Sequence, residues 1–166
     1  MTAHEALETL LRSYTQYYDV VREGVEPPFA AEALFHSHDE QYVLVRSARI
    51  SEADSHEYVF FAVLDQLDAD GLKTLDETAW SRGMARVKPH KDHRNSDVTL
   101  IVLAEHITPQ AMAAVKKLRH YQSYRFGFQG WSNYRVIALE TSSGSLTCNR
   151  LGQSLKKLFR NISNQT

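Results

Sequence analysis

Apolar and polar positions change their period several times along this chain. Leu7, Leu10, Leu11, Tyr14, Tyr18 and Val21 recur at spacings of three and four, the stripe of an amphipathic helix. Thr2 and Glu5 stand ahead of it at capping-box spacing, and Gly24 followed by Pro27-Pro28 predicts its end. From Ala31 the period becomes two. Ala31, Ala33 and Phe35 alternate with Glu32, Leu34 and His36, Tyr42–Ile50 is β-branched and aromatic, and Tyr58–Leu64 is almost unbroken apolar. Polar breaks at Ser37–Gln41 and Ser51–Glu57 separate them, which predicts a three-stranded antiparallel meander.

Helical spacing returns at Leu72, Leu75, Ala79 and Met84, with Asp68 or Asp70 placed to cap it. Lys88–Asn95 reads as a polar loop and Asp97–Glu105 as a strand with a buried centre. Thr108-Pro109 is an N-cap followed by proline at N1, starting a helix over 109–120 that turns Met112, Val115 and Leu118 inward. Lys116, Lys117 and Arg119 fall in its expected last turn, where cations suit the helix dipole. Tyr134–Leu139 is a further strand, Leu146–Cys148 an edge strand, and Asn149 the cap of a last helix carrying Leu151, Leu155, Leu158, Phe159 and Ile162. Strand 97–105, helix and strand 134–139 form a βαβ unit with parallel strands. The fold class is therefore α/β (α+β). The meander and the βαβ unit share one mixed sheet with helices on both faces. One domain is expected over 1–162, followed by a flexible tail over 163–166. Val59, Phe61, Val63, Leu100, Val102 and Val136 are its expected core.

That order resembles the restriction-endonuclease-like core over roughly residues 1–105. The resemblance implies an acid on the second strand and an acid-x-lysine on the third, holding a metal that activates water. In this chain Gln41–Ile50 carries no acid, and neither His56-Glu57-Tyr58 nor Leu64-Asp65-Gln66 is followed by a lysine. The phrases His93-Arg94-Asn95-Ser96-Asp97, Tyr124-Arg125-Phe126-Gly127 and Gly130-Trp131-Ser132 are similar to a bacterial domain-of-unknown-function family. This similarity implies no activity.

Charge changes the picture more than composition does. Residues 1–80 hold 16 acids and 5 bases, residues 81–166 hold 4 acids and 14 bases, and the whole chain stands at −1. Such a split marks either an acidic partner or two faces that neutralise one another, within a monomer or between copies. Arg86, Lys88, Lys91 and Arg94 surround His90 and His93, a positive field that suits an anion better than a metal. Lys116, Lys117, Arg119, Arg125 and Trp131 lie in a stretch that interleaves bases with His120, Tyr121, Tyr124, Phe126 and Phe128, a mix that suits single-stranded nucleic acid. His36 and His38 with Asp39 or Glu40 have the spacing of a small metal site, with His56 as the candidate fourth group.

No catalytic set is completed, and no cofactor motif appears. Gly127 and Gly130 belong to no phosphate loop, and the serines stand in no nucleophile elbow. Cys148, the single cysteine, reads as a small buried residue. A lone cysteine, a start without an apolar leader and apolar runs no longer than a strand give the expectation of a cytoplasmic protein without a membrane partner. Three functions follow, in order: contact with itself or another protein, nucleic-acid binding through the basic half (as a degenerate nuclease-like domain or otherwise), and metal-dependent hydrolysis at the His36/His38 hairpin. The positions of the second-half bases discriminate the first two. Interleaving with the first-half acids means only that the two charge sets neutralise one another in the fold, and clustering on one concave face favours an anionic ligand.

Overall fold

Thr2 opens the first helix, α1 (Ala3–Tyr14), as the spacing requires: its hydroxyl accepts from the Glu5 backbone while Glu5 receives the Thr2 N–H. The computed structural model describes residues 1–36, 54–90 and 93–164. Among the described residues seven strands form one mixed sheet: β1 (Asp19–Val21), β2 (Ala31–His36), β3 (Asp54–Leu67), β4 (His93–Ile107), β5 (Tyr121–Ser123), β6 (Trp131–Glu140) and β7 (Ser145–Cys148). Between them lie α2 (Ala69–Arg86), between β3 and β4, and α3 (Pro109–Val115), between β4 and β5. The chain closes with α4 (Lys156–Ser163).

The sheet order is β1-β2-β3-β4-β6, with β5 and β7 both pairing along the outer edge of β6. β1, β2 and β3 run antiparallel to one another, whereas β3, β4 and β6 are parallel. The βαβ unit is thus present as read, and β3–α2–β4 is a second parallel crossover that the pattern did not announce. Its three antiparallel members are not those expected. β1 is the first of them, β2 pairs directly with β3, and the strand expected over Tyr42–Ile50 lies outside the described residues.

Side chains alternate across the central strands, so each face buries its own set. Phe60, Leu100, Val102 and Val136 meet α2 and α3, while Val59, Phe61, Ile101 and Ile137 meet α1 and α4. Double burial is why β3 and β4 read as nearly continuous apolar runs. Of the expected core only Val63 is half-buried, because it sits toward the end of β3.

Two helices stop earlier than their apolar stripes suggest. α1 ends at Tyr14, where the Thr15 hydroxyl bonds back to the Leu11 carbonyl at 2.6 Å. Asp19–Val21 then pairs with Glu32–Leu34 instead of continuing the helix. α3 ends at Val115, since Lys117 and Leu118 bond to Ala114 and Val115 in tight i−3 turns. The Asn149 amide takes the Leu118 carbonyl at 3.1 Å and draws the chain toward β5. Lys116, Lys117 and Arg119 therefore lie beyond the helix, not in its last turn. β4 also begins earlier than read, so His93–Asn95 is strand and not loop.

Candidate anion-binding cleft

Where α3 gives way to β5, the chain runs past the start of β6 and the turn after β7. A cleft of about 530 Å³ opens between these segments. Lys116, Lys117 and Arg119 line it from one side and Arg150 from the other. All four are exposed, and none makes an ion pair among the described residues. The wall is held by Asn149, which is buried. Its Oδ1 accepts from Val136 N–H at 3.0 Å and Gly152 N–H at 2.8 Å, and its Nδ2 donates to Leu118 and Tyr134 carbonyls. The Gly152 bond is an i+3 capping contact at the turn Leu151–Leu155 that leads into α4, and the other three bonds tie that turn to β6 and to the turn after α3. Gly152 is required beside it, because a Cβ there would meet the Val136 carbonyl oxygen at 2.3 Å.

His120 forms part of the same lining. Its Nε2 lies 3.1 and 3.2 Å from the two carboxylate oxygens of buried Asp76 on α2. The Trp80 ring stacks on the imidazole at 5.0 Å, and Tyr134 meets it edge-on at 4.9 Å. Burial and the nearby Asp76 push the Tyr134 hydroxyl far above its ordinary value, so it stays neutral. Nδ1 of His120 makes no hydrogen bond among the described residues. Tyr121 sits at the mouth with 57% of its surface exposed.

The neighbouring turn displays more aromatic surface. A short 3₁₀ segment, Arg125–Gly127, carries Phe126 fully exposed, and Phe128 directly after it is 84% exposed. Arg125 and Phe126 both take left-handed backbone angles, φ 47° and 56°. Arg125 and the partly exposed Trp131 belong to this turn and the start of β6 but do not line the cleft.

The other candidate sites disperse. Arg86 pairs with Glu32 at 2.9 Å and its guanidinium covers Phe60, so it is committed to the fold. Lys88 is exposed after α2, Arg94 is the second residue of β4, and Lys91 lies outside the described residues. His36 ends β2 opposite His56, whereas His38 and Asp39 lie outside the described residues. Among the described residues no group of three or more histidine, cysteine, aspartate or glutamate side chains could hold a metal ion. Cys148 is buried, and desolvation raises its thiol pKa, the reverse of an activated nucleophile.

Two further polar clusters are built into the sheet. Arg135 bridges Glu57 at 2.8 Å and Asp97 at 3.0 Å, and the Tyr18 hydroxyl donates to Glu57 at 2.8 Å. The second position after Glu57 is the buried Val59, where an acid-x-lysine pattern would need a base. His93 is buried as well. The Gln129 carbonyl can only accept, so Nδ1–H donates to it at 2.6 Å, while Nε2 lies 2.7 Å from the Ser96 hydroxyl oxygen. Ser96 is fully buried, which closes that pair to a substrate.

The charge split thus has two fates. Arg82–Glu26, Arg86–Glu32 and Arg135–Glu57 join second-half bases to first-half acids within the monomer. The cleft cations are left over.

Residues 2–161 match a family described as Domain of unknown function (DUF8052). The chain belongs to this family. No curated protein and no solved structure matches the chain. The family supplies no ligand, and the site rests on its geometry alone. Sequence order had grouped Lys116, Lys117 and Arg119, but Arg150 and Asp76 enter only through the pairing of β7 with β6 and the packing of α2. No local signal in the chain joins them. No helix among the described residues is long and apolar enough to cross a membrane.

Proposed function

We propose that the protein binds an anionic ligand, single-stranded nucleic acid, in the basic cleft. The observation that supports this most is the convergence of Lys116, Lys117, Arg119 and Arg150 on one concavity with no acid paired to any of them among the described residues. Cations held together without counter-charges repel one another, and an incoming phosphate relieves that repulsion. Exposed Tyr121 at the mouth offers a ring on which a base stacks, and Phe126, Phe128 and Arg125 extend the surface along the next turn. The lone buried cysteine suits a reducing, cytoplasmic setting.

Fluorescence anisotropy with labelled single-stranded and duplex oligonucleotides tests this. Single strands should bind below about micromolar, tighter than ordinary non-specific affinity. A Lys116→Glu/Lys117→Glu/Arg119→Glu charge reversal should abolish the binding. Affinity no better than non-specific, or binding that survives the reversal, removes the reading.

Full exposure of Phe126 favours a second reading, association with another copy of this chain through the 125–128 turn. Light scattering of nuclease-treated protein separates the two. A dimer lost in Phe126→Ser would place the self-contact there.

A further inference from the structure

Resting on the reading of the cleft as an anion site, we propose that His120 is a direct ligand of the bound phosphate and that its protonation sets how tightly the phosphate is held. The argument begins with the ring's two nitrogens. Nε2 faces both oxygens of Asp76 at 3.1 and 3.2 Å, and a carboxylate only accepts. Nε2 therefore carries a hydrogen in either charge state. All change in protonation falls on Nδ1, which makes no hydrogen bond among the described residues on a side chain that lines the cleft. The ring is held on two sides, since Trp80 stacks on one face and Tyr134 meets it edge-on. Neutral Nδ1 offers a lone pair, which repels a phosphate oxygen. Protonated Nδ1 offers a charged N–H, which binds one.

The groups packed around the imidazole come from several elements. α2 contributes Asp76 and Trp80, and β6 contributes neutral Tyr134. Lys116, Lys117 and Arg119 come from the turn after α3, Tyr121 from β5 and Arg150 from the turn after β7. Lysine, arginine and tyrosine side chains ordinarily keep one charge state across the window in which an imidazole titrates. The protonated form adds a fifth positive group to four. A cleft of about 530 Å³ is in the range of small-molecule sites, and takes roughly one nucleotide unit at a time. An internal phosphodiester of a strand and a free mononucleotide both supply the required chemistry.

Two measurements test this. The first is anisotropy with a labelled single-stranded oligonucleotide lacking terminal phosphates, from pH 5.5 to 8.5 at constant ionic strength. Its phosphodiesters do not titrate there, so any trend belongs to the protein. Affinity should fall about tenfold as pH rises, the effect of losing one charge-assisted hydrogen bond. His120→Asn should flatten the profile at its weak end, while Lys116→Gln/Lys117→Gln should weaken binding at every pH and keep the trend. The second measurement needs no variant fold. By reciprocity, a saturating nucleoside monophosphate should raise the His120 ring titration midpoint, read by NMR in the wild-type protein, by about one unit.

A flat wild-type oligonucleotide profile with an unmoved midpoint overturns the inference and leaves nucleic-acid binding standing. A midpoint raised by mononucleotide without oligonucleotide binding supports His120 as the phosphate ligand and overturns the nucleic-acid reading. Absence of binding and of any midpoint change overturns both.

Discussion

Arg135 Nη1 lies 2.8 Å from Glu57 Oε2, reaching from β6 across β4 to β3. The pair is mostly buried, and Asp97 shares the same guanidinium. Arg135→Met would leave two carboxylates in the interior without a cation. The expected cost is about 3 kcal/mol at neutral pH, the low end for breaking a buried pair because Arg135 keeps some solvent contact. Chemical denaturation measures it.

The same cluster predicts a sign for pH. Burial raises the Glu57 pKa above its ordinary value, despite Tyr18 and Arg135. The folded chain then holds the Glu57 proton longer than the unfolded chain. Its contribution to stability is greatest below the ordinary carboxylate range and is lost as pH rises through the raised value. Removing Arg135 widens that window. Arg135→Met should therefore lose more stability than wild type between pH 5 and pH 7, and equal losses would contradict the cluster's role.

Phe61 is fully buried on the α1 face of β3 and meets Tyr14 edge-on at 5.3 Å. Phe61→Ala should cost about 3–5 kcal/mol. An unchanged denaturation midpoint would show that β3 is not the centre of that core.

Gly152→Ala should destabilise by about 1–3 kcal/mol, the usual range for overpacking. The obstacle is the Val136 carbonyl, a backbone atom of β6 that cannot rotate aside. The variant should also loosen the cleft wall. Amide hydrogen exchange at Val136 and Gly152, the two donors to Asn149, would report it.

Phe126 holds a left-handed backbone while its side chain touches solvent on all sides. A side chain in that region costs about 1–2 kcal/mol, and glycine escapes this cost. Phe126→Gly should raise thermal stability by about 1 kcal/mol. A gain in stability together with a loss of binding would mark the exposed ring as functional.

Salt provides the remaining check. With four cleft cations engaged, log affinity for single-stranded nucleic acid should fall against log salt with a slope of about −3. Arg150→Gln should reduce that slope by roughly 0.7, measured by anisotropy across ionic strengths. An unchanged slope would remove Arg150 from the site.

The amino-acid sequence by itself determined the helix starts at Thr2 and Thr108-Pro109 and narrowed a third to Asp68 or Asp70, of which the structure uses Asp68, because a cap and its orphan amides lie within three residues. It also determined the buried strands β3 and β4, because burial on both faces leaves an unbroken apolar run. Only the tertiary structure decided where α1 and α3 stop. Asp19–Val21 and the Leu118 carbonyl each find a better partner far along the chain, in β2 and in Asn149. The cleft divides in the same way. Its three neighbouring bases are written side by side, while Asp76 stands 44 positions from His120 and meets it only because α2 packs on the sheet. Local hydrogen bonds and apolar period are carried by adjacent residues. A site assembled from several elements exists only once those elements have packed.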